Sequence, residues 1–204
     1  MHLHLSLFKG EDNAFFDAND PYHLSSTAKS FMAGLLFHAA EITAITNQTV
    51  NSYKRLVPGF EAPVHMTWAR NNRSGLIRVP VPKKGSASAT RIEYRSPDPA
   101  TNPYLAFSVI LAAGLKGVRE GYELAPEADA NLFQMDDLAL QKMGVQQLPQ
   151  SLNDALRIME GSALVHEALG EHIFDWFLRN KHREWRQYKT QVTPFELNTY
   201  LKSI

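Results

Sequence analysis

Arg91, Ile92, Glu93, Tyr94 and Arg95 alternate charged and apolar residues with the two-residue period of a β-strand. The three charges then share one face, and Ile92 and Tyr94 share the other. This strand ends a segment, 51–95, that carries nine Lys or Arg residues against two acids, Glu61 and Glu93, a net +7 in a chain whose total charge is zero. Two like charges about 4 Å apart repel by roughly 4 kcal/mol at an effective dielectric near 20. Glu93 alone cannot neutralise its neighbours, so the fold must present such a face to an anion.

Composition sets the outer limits. The 204 residues, 44% hydrophobic and 21% charged, suffice for one sizeable core, and one domain is the default. The absence of cysteine excludes disulfides, thiolate metal sites and thiol nucleophiles. No stretch approaches 18 consecutive apolar residues, and MHLHLSLF lacks the basic region of a signal peptide. A soluble, cytoplasmic protein without membrane contact is expected.

His2, His4 and Ser6 alternate with Leu3, Leu5 and Leu7, a strand with one polar face beginning at the first residue. Two histidines make no metal site alone; a ligand role needs a carboxylate from another strand, and a solvated strand face is the plainer reading. Ser26 to Thr46 has helical spacing through Phe31, Met32, Leu35, Leu36, Ala39, Ile42 and Ile45, which predicts one scaffold helix with His38 and Glu41 as a structural pair on its polar side. Asn51–Pro63, with Pro58, Gly59 and Pro63, reads as an ordered loop. Short strands are expected at HMTWA from His65, LIRV from Leu76 and RIEYR from Arg91.

Arginine's planar fork grips carboxylate or phosphate, so the basic face suits a triphosphate with a carboxylate substrate, or a nucleic-acid backbone. A pI near 7.1 argues against nucleic acid. No Walker-type or GxGxxG loop is present, so a phosphate ligand would be held by side chains and metal ions.

Four strings in order, MHLHLSL, NSYKRLVPGFEAP, NNRSGLIRVP and RIEYRSPDPATNPYLAFSVILAAGL, resemble successive signature segments of glutamine synthetase, type I. The similarity is strong to about Gly117 and weaker through the helical tail. It implies an α+β fold: an antiparallel sheet forming part of the catalytic half-barrel, with packed helices and a helical carboxy-terminal tail. It also implies ATP-dependent glutamate–ammonia ligation through γ-glutamyl phosphate, using Mg or Mn, within a homo-oligomer of two hexameric rings.

By that resemblance, His2 and Glu93 match ligands of the metal ion associated with the nucleotide phosphates, and His4 and Ser6 match positions near the nucleotide. Arg55 and Arg95 match arginines that hold glutamate. Arg73, Arg78 and Arg91 match arginines on ATP phosphates or the transferring phosphoryl group, with Arg78 also catalytic. Glu61 matches the flap acid that closes the site and takes a proton from the attacking ammonium.

Departures from the family pattern set further expectations. Met1 stands where the family has an internal methionine, so residues 1–204 are expected to be the carboxy-terminal part of a catalytic domain that by itself does not make glutamine. Phe133 replaces the tyrosine that some relatives adenylylate, and Lys83 and Lys84 read as solvated loop residues. A larger amine as acceptor, or a noncatalytic assembly module, stays open as an alternative. Further along, Asn102–Pro103 starts a helix ending near Gly121, Ser151 and Asp154 open another, and Thr193 with Glu196 caps a last one that exposes Phe195 and Tyr200. A run from Glu171 to Gln191 is expected to bury Ile173, Phe174, Trp176, Phe177 and Trp185.

Overall fold

A computed structural model of the chain describes residues 1–201 apart from 61, 71–73, 81–86, 129–131, 133, 134 and 136. Glu61, Arg73, Lys83, Lys84 and Phe133 therefore lie outside the described residues. The fold is mixed: a small sheet carries the charged face, and a layer of helices covers its apolar side.

The main sheet has four strands, β1 (Leu3–Leu5), β4 (His65–Ala69), β5 (Gly75–Arg78) and β6 (Ile92–Tyr94), in the order β1-β6-β5-β4. A two-stranded ribbon, β2 (Phe8–Lys9) and β3 (Asp12–Asn13), follows β1. β6 pairs antiparallel with both β1 and β5, as expected. The pairing of β4 with β5 departs from the expected antiparallel sheet: these two strands run parallel, with a register shift between His65 and Trp68. A short connection ordinarily makes a hairpin, and nothing in the alternation of either strand distinguishes the two directions.

Among the described residues there are eight α-helices; those from Pro103, Leu152 and Pro194 start at the expected caps, whereas the one from Ala163 starts eight residues before the expected Glu171. α1 (Ser26–Phe37) begins where Ser25 Oγ accepts from Ala28 N. α4 (Pro103–Glu120) has Asn102 as its cap, Pro103 in its first turn and Gly121 in the left-handed conformation at its end. α3 (Ser52–Arg55) is a short helix inside the predicted 51–63 loop, and α5 (Asp137–Lys142) is equally brief. α6 (Leu152–Glu160) and α7 (Ala163–Tyr188) are capped by Ser151 and Ser162, and α8 (Pro194–Tyr200) by the predicted Thr193–Glu196 capping box.

The helix expected across 26–46 breaks at His38, after which α2 (Ala39–Thr46) restarts. His38 is not on a polar side: it is 4% exposed, and its Nδ1 donates to Glu41 Oε1 at 2.8 Å. Glu41 Oε2 accepts in turn from Ser162 Oγ, so the pair ties α2 to the start of α7. In α7, Phe174 is buried and Phe177 and Trp185 pack against the core, but Ile173 and Trp176 are exposed. The 3.6-residue period carries Phe174, Phe177 and Trp185 along one stripe and leaves Ile173 and Trp176 beside it.

Close approach of α1 and α4 fixes the helical layer. A Cβ on Gly117 would lie 2.7 Å from Gly34 Cα and against the Ser30 carbonyl, so only glycine lets these backbones meet. Phe31 fills the neighbouring space against Gly114 and packs on Phe15 at 5.3 Å between ring centroids. Among the described residues, no helix is long and apolar enough to cross a membrane.

Candidate active site

Register decides which charges meet. His4 on β1 and Arg78 on β5 both stand opposite Glu93 on the central strand β6. Side chains two apart point the same way, so His2, Arg91 and Arg95 join that face. On the opposite face Ile92, Tyr94 and Ile77 are fully buried and anchor the sheet to the helices. The predicted one-sided charge pattern is thus realised across three strands.

Glu93 is the centre of this face and its side chain is 4% exposed. Arg78 Nε donates to its Oε2 at 2.7 Å, and an Arg78 terminal nitrogen contacts the same oxygen. Its Oε1 faces His2 Nδ1 at 2.7 Å and Arg95 Nε at 3.6 Å. Burial works against ionisation of Glu93, but the Arg78 hydrogen bond and the charges of Arg78, His2 and Arg95 overcome it and hold the carboxyl below its ordinary value. Burial and the Arg95 charge lower the His2 imidazole below its usual value, outweighing the opposing pull of Glu93. A lowered value favours neutral imidazole, the form that ligates metals.

Each remaining site residue among those described has a definite place. Arg91 Nε donates to His4 Nδ1 at 3.3 Å and its Nη1 to Ala89 O at 3.1 Å. Arg95 Nη1 lies 3.5 Å from Gly75 O and the residue is 6% exposed. Arg55, at the end of α3, donates to Asn47 Oδ1 at 3.1 Å and to Ser96 O, with Asp98 Oδ2 3.9 Å from its Nε. It therefore meets the segment immediately after Arg95. Ser6 is exposed beyond the end of β1. Asp98, which faces Arg55, escaped the sequence reading because nothing local links positions so far apart, and Asn47 did because its only sequence signal was the end of a helix.

Charge on this face exceeds what one carboxylate balances. Three guanidinium groups surround Glu93 or border it through His4, and the Arg78 side chain keeps 38% exposure. An incoming anion would complete the balance. The donor pair also fits a hard divalent cation in part: ligands at right angles on 2.0–2.1 Å bonds sit about 3 Å apart, close to the spacing of His2 Nδ1 and Glu93 Oε1. Among the described residues no group of three or more His, Asp, Glu or Cys converges, so this pair would supply two positions of a larger shell.

Comparison with known proteins bears on the chain as a whole. The family model described as glutamine synthetase, catalytic domain, matches residues 1–200. A glutamine synthetase from Mycobacterium bovis is 57% identical over 201 residues, which is 98% of this chain and 45% of that protein. One from Thermotoga maritima is 46% identical over the same share of each chain. The chain thus spans a little under half the length of these relatives. Among solved structures, a GmaS/ADP complex superposes with a TM-score of 0.85 at 36% identity, covering 98% of this chain and 45% of that one, and apo GmaS gives 0.83 at 37% identity. With residues 1–200 matched by the family model, the chain belongs to the glutamine synthetase family.

Proposed function

We propose that this chain supplies part of the active site of an ATP-dependent glutamate–ammonia ligase, in which a glutamate γ-carboxylate takes the γ-phosphoryl group of ATP and ammonia then displaces phosphate. The observation that carries the reading is the clasp of Arg78 and Arg95 on Glu93 beside His2, with Arg91 on His4 at the open end of the same face. Phosphoryl transfer depends mainly on positioning and charge stabilisation, and an array of preorganised guanidinium groups provides both. A structural neighbour described as an ADP complex supports a nucleotide ligand.

Arg78 and Arg91, which retain access to solvent, contact phosphate oxygens, and Arg73 joins them. Arg55 and Arg95 bind the substrate carboxylates, His4 and Ser6 border the nucleotide, and Glu61 serves as the acid that covers the acyl phosphate and accepts a proton from ammonium. His2 and Glu93 hold a Mg or Mn ion; that ion, when bound, neutralises charge on the phosphates. The residues needed to fill the rest of its shell come from the remainder of a longer polypeptide or from neighbouring subunits of a homo-oligomer. Residues 1–204 then act as one carboxy-terminal part of a catalytic domain and do not make glutamine alone.

Calorimetric titration of the chain with ATP and Mg tests this. Binding weakened at least tenfold by Arg78→Ala, a contact to charge worth about 1.5–3 kcal/mol, is expected. Absence of ATP binding by the wild-type chain, or glutamine formation from glutamate, ammonia and ATP by the purified chain, would contradict the corresponding half of the proposal.

A further inference from the structure

Asn13 lies in the ribbon that follows β1, and its side chain reaches across to a turn more than seventy residues away. Its Nδ2 is 2.8 Å from Thr90 O, 3.1 Å from Ala87 O and 3.3 Å from Ser88 O. Two amide hydrogens thus serve three carbonyls of one turn, so one hydrogen is shared. The other end of the same amide is also used: Asn13 Oδ1 accepts from Phe15 N at 3.0 Å, which fixes the side chain on its own loop. Neither aspartate nor serine could replace it, since one lacks the donors and the other the reach.

What the amide grips matters because of what comes next. The turn ends one residue before Arg91, and its carbonyl at Ala89 accepts from Arg91 Nη1, while Arg91 Nε is directed at His4. His4 belongs to the strand that leads into the ribbon, and that strand pairs with β6, Leu5 opposite Ile92. Asn13 therefore fastens together the two segments between which the Arg91 guanidinium is held. An arginine fixed in advance loses less freedom when its anion arrives.

We propose that Asn13 is a positioning residue for the nucleotide site: its amide sets the 87–90 turn so that Ala89 O and His4 hold Arg91 ready for a polyphosphate. This rests on the reading of Arg91 as a phosphate contact. Asn13→Asp keeps the acceptor for Phe15 N but turns a carboxylate oxygen toward the three carbonyls; Asn13→Ala removes both ends and serves should the aspartate unfold the ribbon.

The test uses the full chain, with Mg–ATP titrated by calorimetry and the water exchange of the Arg91 Nε–H followed by NMR without nucleotide. Loss of a contact of this kind predicts about tenfold weaker ATP binding in either Asn13 variant, and Arg91→Ala combined with Asn13→Asp no weaker than Arg91→Ala alone. Arg91 Nε–H exchange should quicken in both Asn13 variants. A purely structural asparagine would lower the melting temperature yet leave the Arg91 exchange unchanged or give additive binding losses, and either result overturns the proposal. A wild-type chain that binds no ATP overturns the phosphate reading beneath it, and the exchange measurement then judges separately whether Asn13 holds Arg91.

Discussion

Among the described residues, two histidine–glutamate pairs each have one buried partner, His38 in one and Glu93 in the other, and they differ in what surrounds them. Around Glu41, the histidine and the serine satisfy the carboxylate from inside: His38 bonds one oxygen, Ser162 the other, and the cluster joins α2 to α7. Around Glu93, the carboxylate is outnumbered. Arg78 and Arg95 share it with His2, and both Arg78 and His2 keep more than a third of their side-chain surface exposed. The pair of residue types is the same, so the types do not mark a site. Surplus charge on a face that stays partly open does.

Removing each carboxylate should separate the two cases most sharply. Glu93→Ala removes the carboxylate that the buried Arg95 shares with Arg78, and breaking a buried pair of this kind costs about 3–5 kcal/mol in urea unfolding. Added pyrophosphate should recover part of that loss by taking the carboxylate's place. Glu41→Ala, which removes hydrogen bonds without freeing an arginine, should cost about 1–3 kcal/mol and gain nothing from pyrophosphate. Equal costs with equal anion response would erase the distinction between the clusters.

Acid should act on the Glu41 cluster in a predictable direction. Burial opposes ionisation of Glu41, but hydrogen bonds from His38 and Ser162 prevail and depress its value below the ordinary 4.5. Its stabilisation is thus complete above the unfolded value and is lost as pH falls through the depressed folded value. Stability of Glu41→Ala should fall less than that of wild type over that window in equilibrium unfolding. The smallest effect belongs to Ser162→Ala, which deletes the cap of α7 together with one bond to Glu41 and should cost about 1 kcal/mol.

Strands were legible in the sequence where alternation met a boundary. HMTWA falls on β4 without adjustment, and β5 and β6 differ from expectation by a residue at their ends. Helix starts were legible for a similar reason, since Ser25, Asn102, Ser151 and Thr193 each have a side chain suited to the free backbone amides. The break at His38 was hidden because neither glycine nor proline marks it. The shared face of His2, His4, Arg91, Glu93 and Arg95 followed from period two. Which arginine would take which partner did not, because Arg78 to Glu93, Arg91 to His4 and Arg55 to Asp98 are matched by the packing of strands and loops distant in sequence.

β1 is three residues long, lies at the edge of its sheet, and pairs with a strand some ninety positions later, Leu3 opposite Tyr94. Closing so long a loop costs entropy before any contact is gained, so this ladder belongs among the slower steps of folding, behind neighbours in sequence such as α6 and α7. In the finished molecule the same short edge is where hydrogen exchange should begin, because few bonds must open to release it. His2 and His4 travel with β1. The face that would hold nucleotide and metal is therefore assembled late and lent back to solvent early, so a ligand that bridges β1 and β6 would act as a clasp on the least secure seam of the fold.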